Sequence, residues 1–224
     1  MKSIVIIGKG TSILRCKKEL IDSFDEVAII NRPIYEGYDH LISNHADWDF
    51  TNNDAPQYSK KWQQNLGIKK HIDTSENSEF RNKYWKWFKD NYFKIENIDD
   101  INKYGQSMWH IENQMGPSNG IMVFEYFVRQ NDYNKIGLMG FDLMQKGKRV
   151  YYFNEEKAFD SIKYLWNNGT YDRDNIYLKN SMHDLEITYS YLIETFRKNK
   201  DKEFHLLSDY DEFKNEKLNN LILY

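Results

Sequence analysis

The first thirty residues constrain the fold most, because they place a buried strand, a glycine turn, a helical segment and a second strand in succession. Lys2–Ile7 (KSIVII) is a continuous β-branched run, which is typical of a strand buried on both faces. It ends in the turn Gly8–Ser12 (GKGTS), and a second apolar run spans Val27–Ile30. This succession predicts a βαβ unit, whose strands lie parallel in one sheet.

Later segments continue the pattern. The sequence predicts a third short strand within residues 39–50, a helix after Gly120, a buried strand over 135–141, a long helix from 183 to about 198 and a last strand over 203–207. Residues 51–110 are rich in aromatic residues separated by polar ones, so we expect a helix-rich aromatic insert at about 51–110. We therefore predict one α/β domain over 1–224, with a Rossmann-like, mostly parallel sheet and helices on both faces.

Composition narrows the functional classes. The 31 Lys and Arg residues against 34 Asp and Glu residues give a net charge of −3, so no bulk electrostatic attraction to nucleic acid is expected. The mean hydropathy is −0.82, and no apolar run approaches the roughly 20 residues of a spanning helix. The amino-terminal apolar run is too short for a signal peptide. We expect a soluble cytoplasmic protein with no nucleic-acid partner and no integral membrane segment.

The turn after the first strand is the first candidate for ligand binding. Glycines there let backbone N–H groups approach a phosphate or ribose, and ligands bind at such strand ends in open α/β sheets. A dinucleotide fingerprint needs a third glycine and an acid after the second strand, but Ile13 and Asn31 stand at those positions. NAD binding is therefore disfavoured, and the sequence has no triphosphate P-loop. A similar turn also occurs in α/β folds that bind no ligand.

Two helix starts carry further candidates. Ser118, Asn119 and Gly120 form a small polar turn, in which Ser118 or Asn119 either contacts a ligand or only caps the helix. His183 precedes another helix, and a neutral imidazole near a positive helix end is able to serve as a general base. The alternative is that His183 faces solvent and Asp184 is the helix cap.

Acidic pairs of the kind that hold a metal and a nucleotide sugar occur at Asp47/Asp49, 172/174 and Asp209/Asp211. The first pair lies early in the chain, and the other two lie in segments of ordinary turn composition. Because 29% of the residues are charged, such pairs are expected by chance. The histidines other than His183 show no metal-ligand spacing. We expect no metal and no cofactor.

Four segments together resemble a known family. The turn Gly8-Lys9-Gly10-Thr11-Ser12 is similar to the G-N-G-P-S loop of bacterial sialyltransferases, and Asn31-Arg32 is similar to their Asn-Gln pair. Pro117-Ser118-Asn119-Gly120, continued by Gly140-Phe141-Asp142, resembles the sialyl motif that begins P-S-T-G. His183 with Glu186 resembles the short histidine motif near the carboxyl end. Their order and spacing are similar to those of glycosyltransferase families 29 and 42, over roughly residues 4–195.

The resemblance implies a GT-A-variant fold and a soluble enzyme. It implies an inverting, metal-independent transfer of a sialic-acid-like sugar from a CMP-activated donor, with His183 as the general base. The implied partners are this donor, which is a substrate rather than a cofactor, and a glycan or other hydroxyl acceptor. Whether the chain forms a homo-oligomer stays open.

The same resemblance implies which residues surround the donor. It assigns nucleotide binding to the glycine loop, to Asn31 and Arg32, and to the turn formed by Ser118, Asn119 and Gly120. Tyr151 and Tyr152 stand where the family has tyrosines that hydrogen-bond the departing phosphate, which suits a reaction without a metal.

The sequence also departs from the family. Lys9 stands where the family has an asparagine, although a lysine is able to pair with phosphate. Cys16 is the one cysteine, so the disulfide of the eukaryotic members cannot form within the chain, and we expect no membrane anchor like that of Golgi enzymes. These features favour a bacterial-like or viral protein. The alternatives are a non-catalytic nucleotide-binding or assembly protein with the same fold, and a Rossmann-like reductase.

Overall fold

The computed structural model describes residues 1–31, 33, 37–38, 40–43, 45–51, 65–75, 78–84, 118–143, 145, 148–149, 151–152 and 185–224. The strands are β1 (Lys2–Ile7), β2 (Glu26–Ile30), β3 (Trp48–Thr51), β4 (Lys70–Asp73), β5 (Tyr133–Met139), β6 (Glu203–Leu207) and β7 (Leu221–Leu223). The helices are α1 (Lys18–Ile21), α2 (Asn119–Val128) and α3 (Leu185–Lys198), with 3-10 helices at Thr11–Arg15 and Asp211–Asn215 and a helical stretch over 79–84. Across these residues, every helix is too short or too polar to cross a membrane.

The seven strands pair in parallel in one sheet, in the order β4-β3-β2-β1-β5-β6-β7. The predicted α/β fold is confirmed. From β1 the chain builds outward through β2, β3 and β4, and then returns to the other side of β1 with β5. The direction of building therefore reverses between β1 and β5. In open parallel sheets, ligands bind outside the carboxyl ends of the strands at such a point.

Helices cover both faces of the sheet, as predicted. Successive side chains of a strand point to opposite faces, so Ile4 and Ile6 pack with α2 and α3, while Val5 and Ile7 pack with α1 and the 3-10 helix before it. These four side chains are fully buried. Burial on both faces explains why β1 is an unbroken apolar run rather than an alternating one.

The helix predicted directly after the glycine turn is divided in two. Cys16 and Lys17 are extended, with ψ of 145° and 132°, and they separate the 3-10 helix from α1. The 3-10 helix is held by Ser12, whose N–H and hydroxyl donate to Asp142 and Leu207. Tertiary hydrogen bonds therefore override the helical spacing of the apolar residues.

The two edge strands were not predicted. β4 lies inside the segment expected to be a helix-rich insert, and β7 follows the strand expected to be the last. Both are short and largely exposed, so they lack the apolar run that marks a buried strand. The helical stretch over 79–84 belongs to the same segment as β4, and its Tyr84 is buried in the core beside Tyr126. The rest of the predicted insert lies mostly outside the described residues.

Candidate functional site

The loops after β1, β2 and β5 meet the amino end of α2 at the carboxyl edge of the sheet. Lys9 Nζ donates to the backbone carbonyl of Asn31 at 3.0 Å. The side-chain amide of Asn119, at the start of α2, lies 3.5 Å from Asn31 Oδ1. Three segments that the sequence marked separately are thus in contact at the point where the sheet reverses its direction of building.

The glycines of the β1 loop serve close packing against the end of β5. Gly8 N–H donates to the carbonyl of Met139 at 2.7 Å, and Gly10 N–H donates to that of Gly140 at 2.9 Å. A Cβ on Gly8 would lie 2.5 Å from the Gly140 oxygen, and one on Gly10 would lie 2.4 Å from Asp142 Oδ2. These two amides are therefore used within the protein. Among the described residues, the N–H groups of Lys9 and Thr11 have no hydrogen-bond partner.

Asp142 organises the loop, and the sequence analysis did not select it as a site residue. Its Oδ2 accepts the Ser12 N–H at 2.9 Å and lies 3.2 Å from Thr11 Oγ1, while its Oδ1 accepts the Asp209 N–H at 2.9 Å. One buried carboxylate thereby joins the ends of β1, β5 and β6. The available signal was a carboxylate two residues after Gly140, whose φ of 78° ends the strand sharply.

The polar side chains of Thr11 and Ser12 are tied to the end of β6. Ser12 is fully buried, and its hydroxyl donates to the Leu207 carbonyl at 3.2 Å. Thr11 Oγ1 lies 2.9 Å from Asp209 Oδ2, and the other oxygen of Asp209 pairs with Arg15 at 2.6 Å. In this structure both hydroxyls therefore shape the loop, and their predicted contact with a nucleotide stays a prediction.

The two adjacent tyrosines have different surroundings. Tyr152 is 2% exposed, and its ring packs edge-on against Tyr38 with 4.8 Å between the centroids. Its N–H donates to the Lys9 carbonyl at 3.0 Å. Tyr151 is partly exposed, and Lys9 Nζ lies 5.3 Å from the centroid of its ring. The Tyr151 side chain is therefore the one that lies beside the loop, whereas Tyr152 packs in the core.

Ser118 caps the amino end of α2, which is one of the two alternatives predicted for it. Its Oγ accepts the Ile121 N–H at 3.4 Å. Gly120 packs closely against the end of β5, since a Cβ there would lie 3.0 Å from the edge of the Phe141 ring. The beginning of α2 is therefore held tightly against the ends of β2 and β5.

The fold is shared with solved sialyltransferases. No protein-family model and no curated protein matches the sequence. The sialyltransferase CstII from Campylobacter jejuni in complex with cytidine-5'-monophosphate matches with a TM-score of 0.55 and 17% identity, over 100% of this chain and 85% of that chain. A CST-II variant with CMP matches at 0.57 and 19%, over 100% and 86%. CST-II with a trisaccharide acceptor and CMP matches at 0.50 and 15%, over 98% and 87%. The chain has the sialyltransferase fold. The fold implied by the four sequence motifs is thereby confirmed.

Two predicted residues of the sialyltransferase-like site, Arg32 and His183, lie outside the described residues. Of the acidic pairs, Asp47 bonds to the Val27 N–H and to Lys69, and Asp209 bonds to Arg15 and Thr11. Within the described part of the chain, no group of three or more His, Cys, Asp or Glu side chains is placed to hold a metal ion.

Proposed function

We propose that this chain transfers a sialic-acid-like sugar from a CMP-activated donor to an acceptor hydroxyl, with inversion and without a metal. The observation that carries the proposal is the contact of Lys9, Asn31 and Asn119 at the carboxyl edge of the sheet. Two loops and the amino end of α2 supply these residues, and the edge is where open α/β folds bind nucleotides. The solved structures of the same fold include complexes with CMP.

The proposed roles combine the placement of the described side chains with the family resemblance, which alone supplies the roles of Arg32 and His183. Nucleotide binding falls to Lys9, to Asn31 with Arg32, and to the turn from Ser118 to Gly120, while Gly8, Gly10, Thr11 and Ser12 hold the loop in position. Tyr151 donates to the departing phosphate, because Tyr152 is buried in the core. His183 removes the proton from the acceptor hydroxyl.

A thermal-shift comparison of CMP, UMP, GDP and NAD tests the nucleotide assignment. At a CMP concentration one hundred times the Kd, binding stabilises the folded state by about 2.7 kcal/mol. For a chain of this length that corresponds to a rise in Tm of roughly 5–10 °C. We expect CMP to give the largest shift. If millimolar CMP gives none, the nucleotide assignment is wrong.

A CMP-release assay separates the enzyme from a non-catalytic relative of the same fold. Transferases often hydrolyse their donor slowly, so this assay needs no knowledge of the acceptor. We expect CMP to be released from a CMP-activated sialic acid. A protein that binds CMP but releases none from the donor would be the nucleotide-binding or assembly protein instead.

A further inference from the structure

Lys9 places a positive charge in the loop that follows β1. Its ammonium contacts a backbone carbonyl, that of Asn31, and the face of the Tyr151 ring. No carboxylate among the described residues pairs with it. The two carboxylates bonded to the same loop, Asp142 and Asp209, bind Ser12, Thr11 and Arg15. A charge that is partly removed from water is costly unless an opposite charge joins it.

Lys9 is half-buried, which has a second consequence. Desolvation lowers the pKa of its ammonium to about 8, in agreement with the missing counter-charge. The backbone that carries it is nevertheless held firmly, because the Lys9 carbonyl accepts the Tyr152 N–H at 3.0 Å and the neighbouring Gly8 and Gly10 amides are bonded to the end of β5. The described part of the chain therefore holds this cation in position without a carboxylate paired to it.

We propose that Lys9 is the counter-ion of the nucleotide's phosphate and stabilises the charge that develops on it during transfer. This role rests on the proposed function. An ammonium has three N–H donors, of which one is used by Asn31. The amide N–H groups of Lys9 and Thr11, which have no partner among the described residues, are further donors on the same loop.

The charge arises when the donor is cleaved. The bond between the anomeric carbon of the sugar and the phosphate oxygen breaks, and its electron pair stays on that oxygen. The phosphate thereby changes from a singly charged diester to the doubly charged monoester of CMP. The acceptor oxygen forms the new bond to the same carbon, and its proton passes to the general base. Because Lys9 attracts the dianion more strongly than the diester, it stabilises the transition state more than the bound donor.

Calorimetric titration with CMP and with cytidine, which lacks the phosphate, tests this role. The Lys9→Met variant keeps the length of the side chain and removes its charge. We expect it to bind CMP about tenfold to a hundredfold more weakly, as for loss of a charged hydrogen bond, and to bind cytidine unchanged. The matched control is Lys70→Met, since Lys70 is an exposed lysine that also lies over a ring, that of Trp48. We expect the control to bind both ligands as the unaltered chain does.

The outcomes distinguish this proposal from the proposed function. If the unaltered chain binds neither CMP nor cytidine, the nucleotide site itself is wrong. If it binds both and Lys9→Met weakens both equally, or weakens neither, then Lys9 is not the phosphate's counter-ion. The Tm of the ligand-free Lys9→Met variant gives a second readout. We expect it not to fall, because an uncompensated charge has been removed, whereas a merely structural lysine would lower it when lost.

Discussion

Glu26 at the amino edge of the sheet and Lys9 at its carboxyl edge differ in the partners that their charged groups have within the protein. At the amino edge, Glu26 begins β2 and accepts hydrogen bonds from Lys2 Nζ at 2.7 Å, Trp48 Nε1 at 2.7 Å and the Tyr133 hydroxyl at 2.6 Å. At the carboxyl edge, Lys9 has a carbonyl and an aromatic ring as its neighbours. Glu26 has three hydrogen-bond donors within the protein, whereas Lys9 has one carbonyl acceptor and no carboxylate partner among the described residues, which agrees with the ligand role proposed for it.

The amino edge also contains a cavity of about 600 Å³, which is within the size range of ligand-binding pockets. Its buried charged side chains, Glu125 and Lys202, each have two hydrogen-bond partners among the described residues, whereas Lys9 has one. Glu125 accepts from Arg129 at 2.5 Å and from the Tyr191 hydroxyl, and Lys202 donates to the carbonyls of Gln130 and Tyr133. These contacts tie α2, α3 and β5 together. We therefore infer that the contacts around this cavity serve the fold, and we propose that the nucleotide binds at the opposite edge.

The largest predicted effect is the loss of transfer activity in His183→Ala. Removing a general base typically slows transfer by about 10² to 10⁴-fold. CMP binding should persist, because the groups proposed to hold the nucleotide are unchanged. Steady-state transfer or donor hydrolysis, measured beside CMP titration, checks both parts. A variant that loses CMP affinity as well as activity would place His183 in binding rather than proton transfer.

Gly8→Ala should disrupt the packing of the β1 loop against the end of β5 at the carboxyl edge. Its Cβ would meet the Gly140 backbone oxygen at 2.5 Å, and backbone atoms on both strands cannot easily move apart. We expect a loss of about 3 kcal/mol in the free energy of unfolding, at the upper end of the range for overpacking, with loss of the CMP-dependent Tm shift. Urea denaturation measures the first effect.

Gly120→Ala is the matched control for that substitution. Its Cβ would meet the edge of the Phe141 ring at 3.0 Å, and alanine is favoured over glycine inside a helix by roughly 0.5–1 kcal/mol. The net change should therefore be much smaller than for Gly8→Ala. Equal losses in the two variants would show that close loop packing is not specific to the β1 turn.

Protonation of Glu26 at low pH should destabilise the amino edge of the sheet. Burial alone raises the pKa of Glu26, but hydrogen bonds from Lys2, Tyr133 and Trp48 outweigh it and lower the pKa from 4.5 to about 2. The stabilisation is therefore complete above pH 4.5 and is lost as the pH falls towards 2. Glu26→Gln should remove this part of the acid dependence and cost about 1.5 kcal/mol at neutral pH. An unchanged pH profile of unfolding in the variant would contradict the assignment.

The smallest predicted effect is a change in the rate of donor cleavage that distinguishes Tyr151 from Tyr152. Tyr151→Phe removes the hydroxyl proposed to bond the departing phosphate, and we expect donor cleavage to slow by roughly fivefold, as for loss of a single hydrogen bond. Tyr152→Phe should leave the rate unchanged, because that ring packs against Tyr38 in the core. The reverse result would exchange their roles.

The sequence was most informative where local pattern and burial coincide. The apolar runs of β1 and β2, the glycine turn between them and the helical spacing of α2 each follow from residues close together in the chain. β4 and β7 escaped prediction because edge strands bury little and carry no apolar run.

The electrostatic character of the site could not be predicted in the same way. The motifs marked both Lys9 and Asn31, but they did not show that the two are in contact, because they lie in loops 22 residues apart. Nor did they show that Lys9 has no carboxylate partner in the described part of the chain. Asp142 binds the β1 loop from more than a hundred residues away, so no local pattern reveals its partners. Whether a charge is compensated is a tertiary property.

Hydrogen exchange with and without CMP tests the central claim most directly, since it reports which edge the nucleotide occupies. We expect CMP to slow exchange in peptides covering Gly8–Arg15 and residues 118–124. Peptides that line the amino-edge cavity, over 129–134 and 194–202, should exchange unchanged. Protection confined to the cavity peptides, with none in the glycine loop, would contradict the account.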